Sequence, residues 1–310
     1  MAIRITIPGI MRLVFFRTPK EVLAINDSSM VQRSLSGRGG LFQRTTAEKL
    51  AVFRTPDGDT WPAFRDQLDP LRAKHQRELE AALADIPSLL ARLTPEIAAL
   101  ATYVCSGRAH RPPEVIVQQM VGRLFFPDYT ASEESYDAAH TLQTWLSGGP
   151  VKTYLLKHSG ALQGALDQII GLARGNTSCA HATALAMHNI VRSIELMRQL
   201  ARKGNNLKEL NPPDAVAGTL RAPERVVREA RDGGWVGNIR LHARSLVILG
   251  VEAARRQDTD GGFGFFASAW NRCPAHAVVP ALLAEIWQKA KTYRGPNMNS
   301  AAIHRGRETA

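Results

Sequence analysis

The stretch Phe266-Ala-Ser-Ala-Trp-Asn-Arg-Cys273-Pro-Ala-His276 runs into an apolar segment, Ala277 to Lys289, whose spacing predicts a helix. A thiol at the mouth of a helix sits at the positive end of the macrodipole, which favours the thiolate. No His or Cys stands at zinc spacing from Cys273. A thiolate here would therefore serve a metal as its one protein ligand rather than as part of a zinc site. The ordinary alternative for a lone Cys before a helix is a buried structural thiol, so the rest of the chain has to decide.

The chain has 310 residues, 45% of them hydrophobic, enough for a substantial core and too apolar for wholesale disorder. Cys105, Cys179 and Cys273 are widely spaced and odd in number, which argues against a disulfide framework and for a reducing compartment. Arg4, Pro8 and Arg12 interrupt the apolar amino terminus, leaving neither a signal-peptide core nor a membrane-length span. The expectation is a soluble cytoplasmic protein with no membrane partner. The net charge is +11 with a pI near 10.0, a balance that suits an anionic partner. It is spread along the chain, as in Arg221–Arg256, rather than gathered in a tail.

From Trp61 the sequence is helical for a long way. Thr94-Pro95-Glu96 predicts a restart with Thr as cap, Pro113 to Phe126 a further helix, and Thr130-Ala-Ser-Glu133 a capping box. Two helices are expected at about Ser159–Ala173 and Ser178–Ala201, the second apolar on more than one face and so central. Asn211-Pro-Pro213 stops helix formation, and Val226-Val227, Asp232-Gly-Gly234 and Arg240–Leu249 suggest short strands around a turn. The fold class is mainly α with a small β region, in one domain spanning residues 1–310. Roughly the first 20 and the last 16 residues are expected to be flexible.

Trp61-Pro-Ala-Phe-Arg65 follows the turn Pro56-Asp-Gly-Asp59. An indole N–H and a guanidinium four residues apart on one helical face can hold an anion, a carboxylate most directly. Further on come Ala180-His-Ala-Thr183 inside the long apolar helix, Leu210-Asn-Pro-Pro213, Arg221-Ala-Pro-Glu, and Glu252-Ala-Ala-Arg-Arg-Gln-Asp258. Phe266…Cys273 is last. In that order, from about Val22 to Lys289, these features resemble the cytochrome P-450 superfamily. The resemblance implies a single-domain helical fold with haem b held between the long helix and the Cys-bearing loop. Cys273 would be the axial thiolate and Phe266 the aromatic packed on its loop. Trp61 and Arg65 would contact one haem propionate and Arg221 the other. Ala180 and Thr183 would form the oxygen-binding groove. Two propionates are two negative charges, costly to bury without such Arg partners.

The chain departs from the family pattern in several places. Ala267, Ala269 and Ala275 stand where the family has glycines, and Asn271 where it has a basic residue. Ala182 replaces the acid before the groove threonine, and the E-x-x-R pair is replaced by Asn206-Leu-Lys-Glu209. The long meander is reduced to the residues between Asp258 and Phe266, so the chain resembles a shortened, divergent member. With the acid missing, His181, or else His188, is the candidate to handle protons.

The resemblance implies an iron-dependent oxidoreductase, a monooxygenase or a peroxide-driven enzyme, acting on a small-molecule organic substrate. Its electrons would come from an acidic ferredoxin or flavodoxin steered by the positive charge, or from hydrogen peroxide. Non-oxygenating haem chemistry (a dehydratase, an isomerase, or rearrangement of an N–O substrate) and an inactive haem or ligand carrier are the alternatives on the same fold. Nucleic-acid binding is disfavoured, because no zinc spacing, RNP-like aromatics or basic heptads occur.

Overall fold

The computed structural model describes residues 2–54, 60–203, 206–258, 263–266, 269 and 271–293. The alternation Ile3-Arg4-Ile5-Thr6-Ile7 forms β1 (Ile3–Ile7), which turns at Gly9 and returns as β2 (Met11–Phe16). Gly9 sits at φ +71°, which a side chain would strain. The first residues are thus an ordered hairpin, not the loose end expected from the sequence. Four short strands and a central one follow: β3 (Val31–Gln32), β4 (Val226–Ala230), β5 (Gly234–Val236), β6 (Ile239–Leu241) and β7 (Leu246–Leu249). The main sheet runs β1-β2-β7-β4-β3, with β2 and β7 parallel and the other pairs antiparallel; β5 and β6 make a separate hairpin. β7 is central and fully buried, and its Leu-Val-Ile-Leu run fits a strand covered on both faces. The stretch Arg240–Leu249 divides into β6 and β7 because Arg244 takes φ +62° between them.

The helices are α1 (Pro19–Asn26), α2 (Leu41–Ala51), α3 (Pro70–Ala82), α4 (Ile86–Arg92), α5 (Thr94–Ser106), α6 (Pro113–Arg123) and α7 (Glu133–Ser147). α8 (Pro150–His158), α9 (Ala161–Leu172), α10 (Thr177–His181), α11 (Met187–Ala201), α12 (Asn206–Glu209), α13 (Pro212–Thr219), α14 (Val251–Arg255) and α15 (Val278–Thr292) complete them. Two local signals act differently from the sequence reading. Thr94 caps nothing, because its hydroxyl donates back to the Ala91 carbonyl (2.8 Å). The capping box of α7 joins Ser132 and Ser135, not Thr130 and Glu133.

α5, α6, α7, α11 and α15 enclose one apolar core, with Trp145 and Trp287 fully buried and their indoles donating to the Lys49 (2.8 Å) and Leu210 (3.2 Å) carbonyls. A second core lies under the sheet and includes Phe16, Val247, Phe263 and Phe266. The Cys273 loop bridges the two, since Phe266 and Ala269 belong to the sheet core while Phe265 and Ala275 pack on the helical one. Among the described residues no helix is long and apolar enough to cross a membrane.

Candidate functional site

Cys273 is placed by its backbone. Its N–H donates to the Phe265 carbonyl (2.8 Å), and Phe266 turns the chain at φ +50° with its ring buried. Asn271 and Asn26 exchange amide hydrogen bonds (2.8 and 3.1 Å), tying the loop to the end of α1. On the other side, Arg272 pairs with Glu80 (2.8 Å) and its carbonyl accepts from Gln76 (2.8 Å), fastening the loop to α3. Only a short 3-10 turn, Pro274–His276, adjoins the thiol, and α15 starts at Val278. Burial therefore outweighs the helix end and pushes the Cys273 thiol up, not down. Ala269 and Ala275 fit as packed methyls; Ala267 and the turn Pro56–Asp59 lie outside the described residues.

Trp61 and Arg65 do not share a helical face. Pro62–Phe64 is one 3-10 turn, Arg65 is extended (ψ 142°), and α3 opens only at Pro70 with Asp69 as its cap. The two side chains nevertheless enter one buried region. Trp61 is fully buried, and its Nε1 has no hydrogen-bond partner among the described residues. Arg65, 4% exposed, bonds Asp69 (2.8 Å). Arg72 donates to the Pro62 and Arg65 carbonyls (3.0 and 3.2 Å). Asp66 accepts from the backbone N–H groups of Arg33 and Ser34 and from the Ser34 hydroxyl. Arg228, buried in β4, reaches the Asn26 side chain (3.4 Å).

These guanidiniums repel one another. Burial and then Arg72 bring Arg228 down to about 9. Burial, with Arg65 adding to it, lowers Arg72 to about 10 against the opposing pull of Asp66 and Asp69. Arg33 is pushed down by burial and by Arg228. Among the described residues, Arg33, Arg65, Arg72 and Arg228 gather with Asp66 and Asp69 in one buried, arginine-rich cluster.

The long helix is interrupted by a π-helical turn at Ala182–Ala186, where the Met187 N–H reaches back five residues to the Ala182 carbonyl. His181 faces the cluster, its ring edge-on to Trp61 (6.4 Å) and Phe64 (5.6 Å). Burial, then Arg33, pull His181 down to about 4, so it is neutral at pH 7, and Nδ1 has no partner among the described residues. His188, beyond the π turn, lies against Tyr136 on α7. Thr183 is fully buried: its hydroxyl donates to the Cys179 carbonyl (2.8 Å) and its own carbonyl accepts from Gln118 (3.2 Å). Ala180 is packed beside it. Cys273, His181 and Arg33 are each mostly but not fully buried.

Arg221 is not in this group. Its guanidinium pairs with Glu252 (2.9 Å), which also takes Arg255 (2.9 Å), Arg256 (3.2 Å) and the Ala222 N–H (3.2 Å). Arg228, seven residues later, is the strand arginine that enters the cluster.

No family model matches this sequence, and no curated protein does. Solved structures do match the fold. Cytochrome P-450EX alpha with myristic acid superimposes at a TM-score of 0.61 and 9% identity, over 93% of this chain and 82% of that one. CYP175A1 from Thermus thermophilus gives 0.59 and 12%, over 93% and 83%. Mycobacterium smegmatis CYP164A2 with econazole bound gives 0.56 and 15%, over 93% and 86%. The fold is that of the cytochromes P-450. On this P-450 fold the arginine-rich cluster has a chemical counterpart, because a haem carries two anionic propionates. The unpartnered indole N–H of Trp61 and the partly buried thiol of Cys273 suit the same group. The donor set present therefore fits haem. Arg33, Arg72 and Arg228 were not singled out from the sequence. The one available signal was Arg228 standing in an otherwise apolar strand start, Val226-Val227.

Proposed function

We propose that this chain is a haem-thiolate oxidoreductase acting on a small organic substrate, with Cys273 as the protein ligand of iron. The observation that carries the reading is the combination, on a P-450 fold, of a partly buried thiol, Cys273, with a buried arginine-rich cluster of the kind that two propionates need. Trp61 Nε1, Arg65 and Arg228 would bind the propionates, with Arg33 and Arg72 adding positive charge beside them, and Phe266 would shape the thiol loop. Bound through a thiolate, haem supplies iron chemistry that favours O–O cleavage.

His181 is the residue we assign to proton handling. Ala182 stands in the place of the family's acid, and a neutral imidazole with an open Nδ1 can accept a proton and return it. With no acid relay, hydrogen peroxide is the oxidant that suits this arrangement best. An acidic ferredoxin or flavodoxin would be the donor if oxygen is used. Non-oxygenating haem chemistry is the second reading, favoured by the Thr183 hydroxyl being committed to the Cys179 carbonyl and by the packing around it.

The test is the optical spectrum of the hemin-loaded protein, ferric and then dithionite-reduced under carbon monoxide, for wild type and Cys273→Ser. A red-shifted Soret band lost in the variant is the expected outcome. A chain that purifies colourless and takes up no hemin overturns the reading. Steady-state turnover with peroxide alone against reductase, ferredoxin and NADPH then separates the oxidants; inactivity in both would favour the non-oxygenating branch. His181→Phe is expected to lower peroxide turnover by about 10²–10⁴-fold while leaving the carbon monoxide spectrum in place.

A further inference from the structure

α6 buries Val115, Ile116, Val117, Met120 and Val121, and among them a glutamine, Gln118, at 0% exposure. Burying an amide is costly unless its hydrogen bonds are made. Its Nε2 donates to the Ser135 carbonyl on α7 (3.0 Å) and to the Thr183 carbonyl in the π turn (3.2 Å). Its Oε1 accepts from the Ser135 hydroxyl (2.6 Å). Two carbonyls at one end and a hydroxyl at the other fix which end is nitrogen. One side chain therefore joins α6, the start of α7 and the central helix.

The bond to Thr183 answers a deficit that the turn itself creates. In an α-helix the Met187 N–H would meet the Thr183 carbonyl, four residues back, but here it goes to Ala182. Thr183 is fully buried, and a buried carbonyl without a donor is costly. The donor comes from outside the helix, from Gln118. The other end of that amide is held by Ser135, whose hydroxyl also accepts from the Ser132 N–H (2.8 Å) in the capping box of α7. The support is thus anchored in the first turn of a second helix.

We propose that Gln118 is a positioning residue: by giving the Thr183 carbonyl a donor it keeps the π turn open, and so keeps His181 against Trp61 and Phe64 while His188 stays against Tyr136. Without that amide the Thr183 carbonyl regains a partner by recapturing the Met187 N–H, which draws one histidine or the other off its aromatic neighbour. Gln118 acts on the chemistry through His181, and that part of the inference rests on the proton role proposed above. The placement of the two rings does not depend on it.

Gln118→Met nearly keeps the volume and removes the hydrogen bonds, and nuclear magnetic resonance of the hemin-free chain labelled with 13C-histidine reads the result. His181→Phe and His188→Phe assign the two ring resonances. In Gln118→Met at least one of the two is expected to move out of the ring-current field of its aromatic neighbours. In the hemin-loaded protein, peroxide turnover should fall by about 10²-fold with the carbon monoxide spectrum unchanged. A folded Gln118→Met in which both resonances stay in place overturns the proposal, whatever its turnover. If that variant does not fold, hydrogen exchange of the wild type decides. The side-chain amide protons of Gln118 are expected to exchange as slowly as the Met187 N–H, in one opening event. Gln118 protons that exchange freely while Met187 stays protected overturn the proposal as well. Because the ring resonances and the exchange are both read on the hemin-free chain, failure to take up hemin would sink the proposed function and leave this inference standing.

Discussion

Replacing Glu252 by alanine is expected to lower the unfolding free energy by about 3–5 kcal/mol, because it leaves three arginines without their shared, largely buried carboxylate. Burial works against the Glu252 charge, but hydrogen bonds from Arg255, the Ala222 N–H and Arg256 outweigh it and hold the carboxyl at about 2. Its ordinary value is 4.5. The unfolded chain thus binds the proton first as pH falls, so this contribution is complete above about pH 4.5 and is lost between 4.5 and 2. His181 acts a little higher. It is neutral when folded down to about 4, whereas the unfolded imidazole charges near 6.5, so stability already declines below 6.5. Glu252→Ala should remove the lower step and leave the upper one; denaturant midpoints from pH 7 down to 3 measure both. The effect should also reach the thiol. The Arg255 stem lies against Gly264, where an added Cβ would sit 3.2 Å from Arg255 Cδ, and the next carbonyl, that of Phe265, takes the Cys273 N–H. A loss under about 1 kcal/mol would mean that the node is solvated and structurally idle.

Arg228→Met is expected to act with opposite signs on the empty and the loaded protein. In the empty chain Arg228 is buried among other guanidiniums, and its lowered value of about 9 records the cost of keeping it charged. Removing that charge should raise the thermal midpoint of the hemin-free protein, offset in part by the lost hydrogen bonds to the Asn26 side chain and the Val227 carbonyl. The same change deletes a partner for an anionic edge, so hemin retention should fall by about tenfold or more, the range for losing a charged hydrogen bond. Hemin titration and calorimetry on the two forms measure the pair of effects. A variant less stable when empty and unchanged in hemin uptake would make Arg228 a structural residue. This division of cost between stability and binding is common at functional sites.

Some of this was legible in the chain and some was not. The central helix was clear because its apolar residues recur on more than one face, and the structure places it at 177–201, nearly where the periodicity did. The amino-terminal strands were missed although Ile3, Ile5 and Ile7 alternate, because β1 is exposed along its whole length and its alternation does not report a core. Trp61 and Arg65 were legible as a pair entering one region but not as to geometry: Pro62 suits a first helical turn, yet Asp69 and Pro70 form the stronger start. Arg221 and Arg228 stand seven residues apart in one basic stretch, and sequence order alone favoured the first. Which of the two points inward depends on Glu252, a partner thirty residues away.

The wide turn at Ala182–Ala186 changes how the central helix can be counted. Seven residues make two turns of an unbroken α-helix, so His181 and His188 would stack on one side. The extra residue in the turn slips the phase by about a quarter rotation, and one histidine meets Trp61 while the other meets Tyr136. Residues before 182 and after 187 therefore belong to two separate helical wheels. A one-residue deletion inside the turn would close it to an α-helical one and leave the side chains from Met187 onward in their seats, whereas tightening the turn with every residue kept would rotate them all out of place. In this helix, length is as much a part of the specification as residue identity.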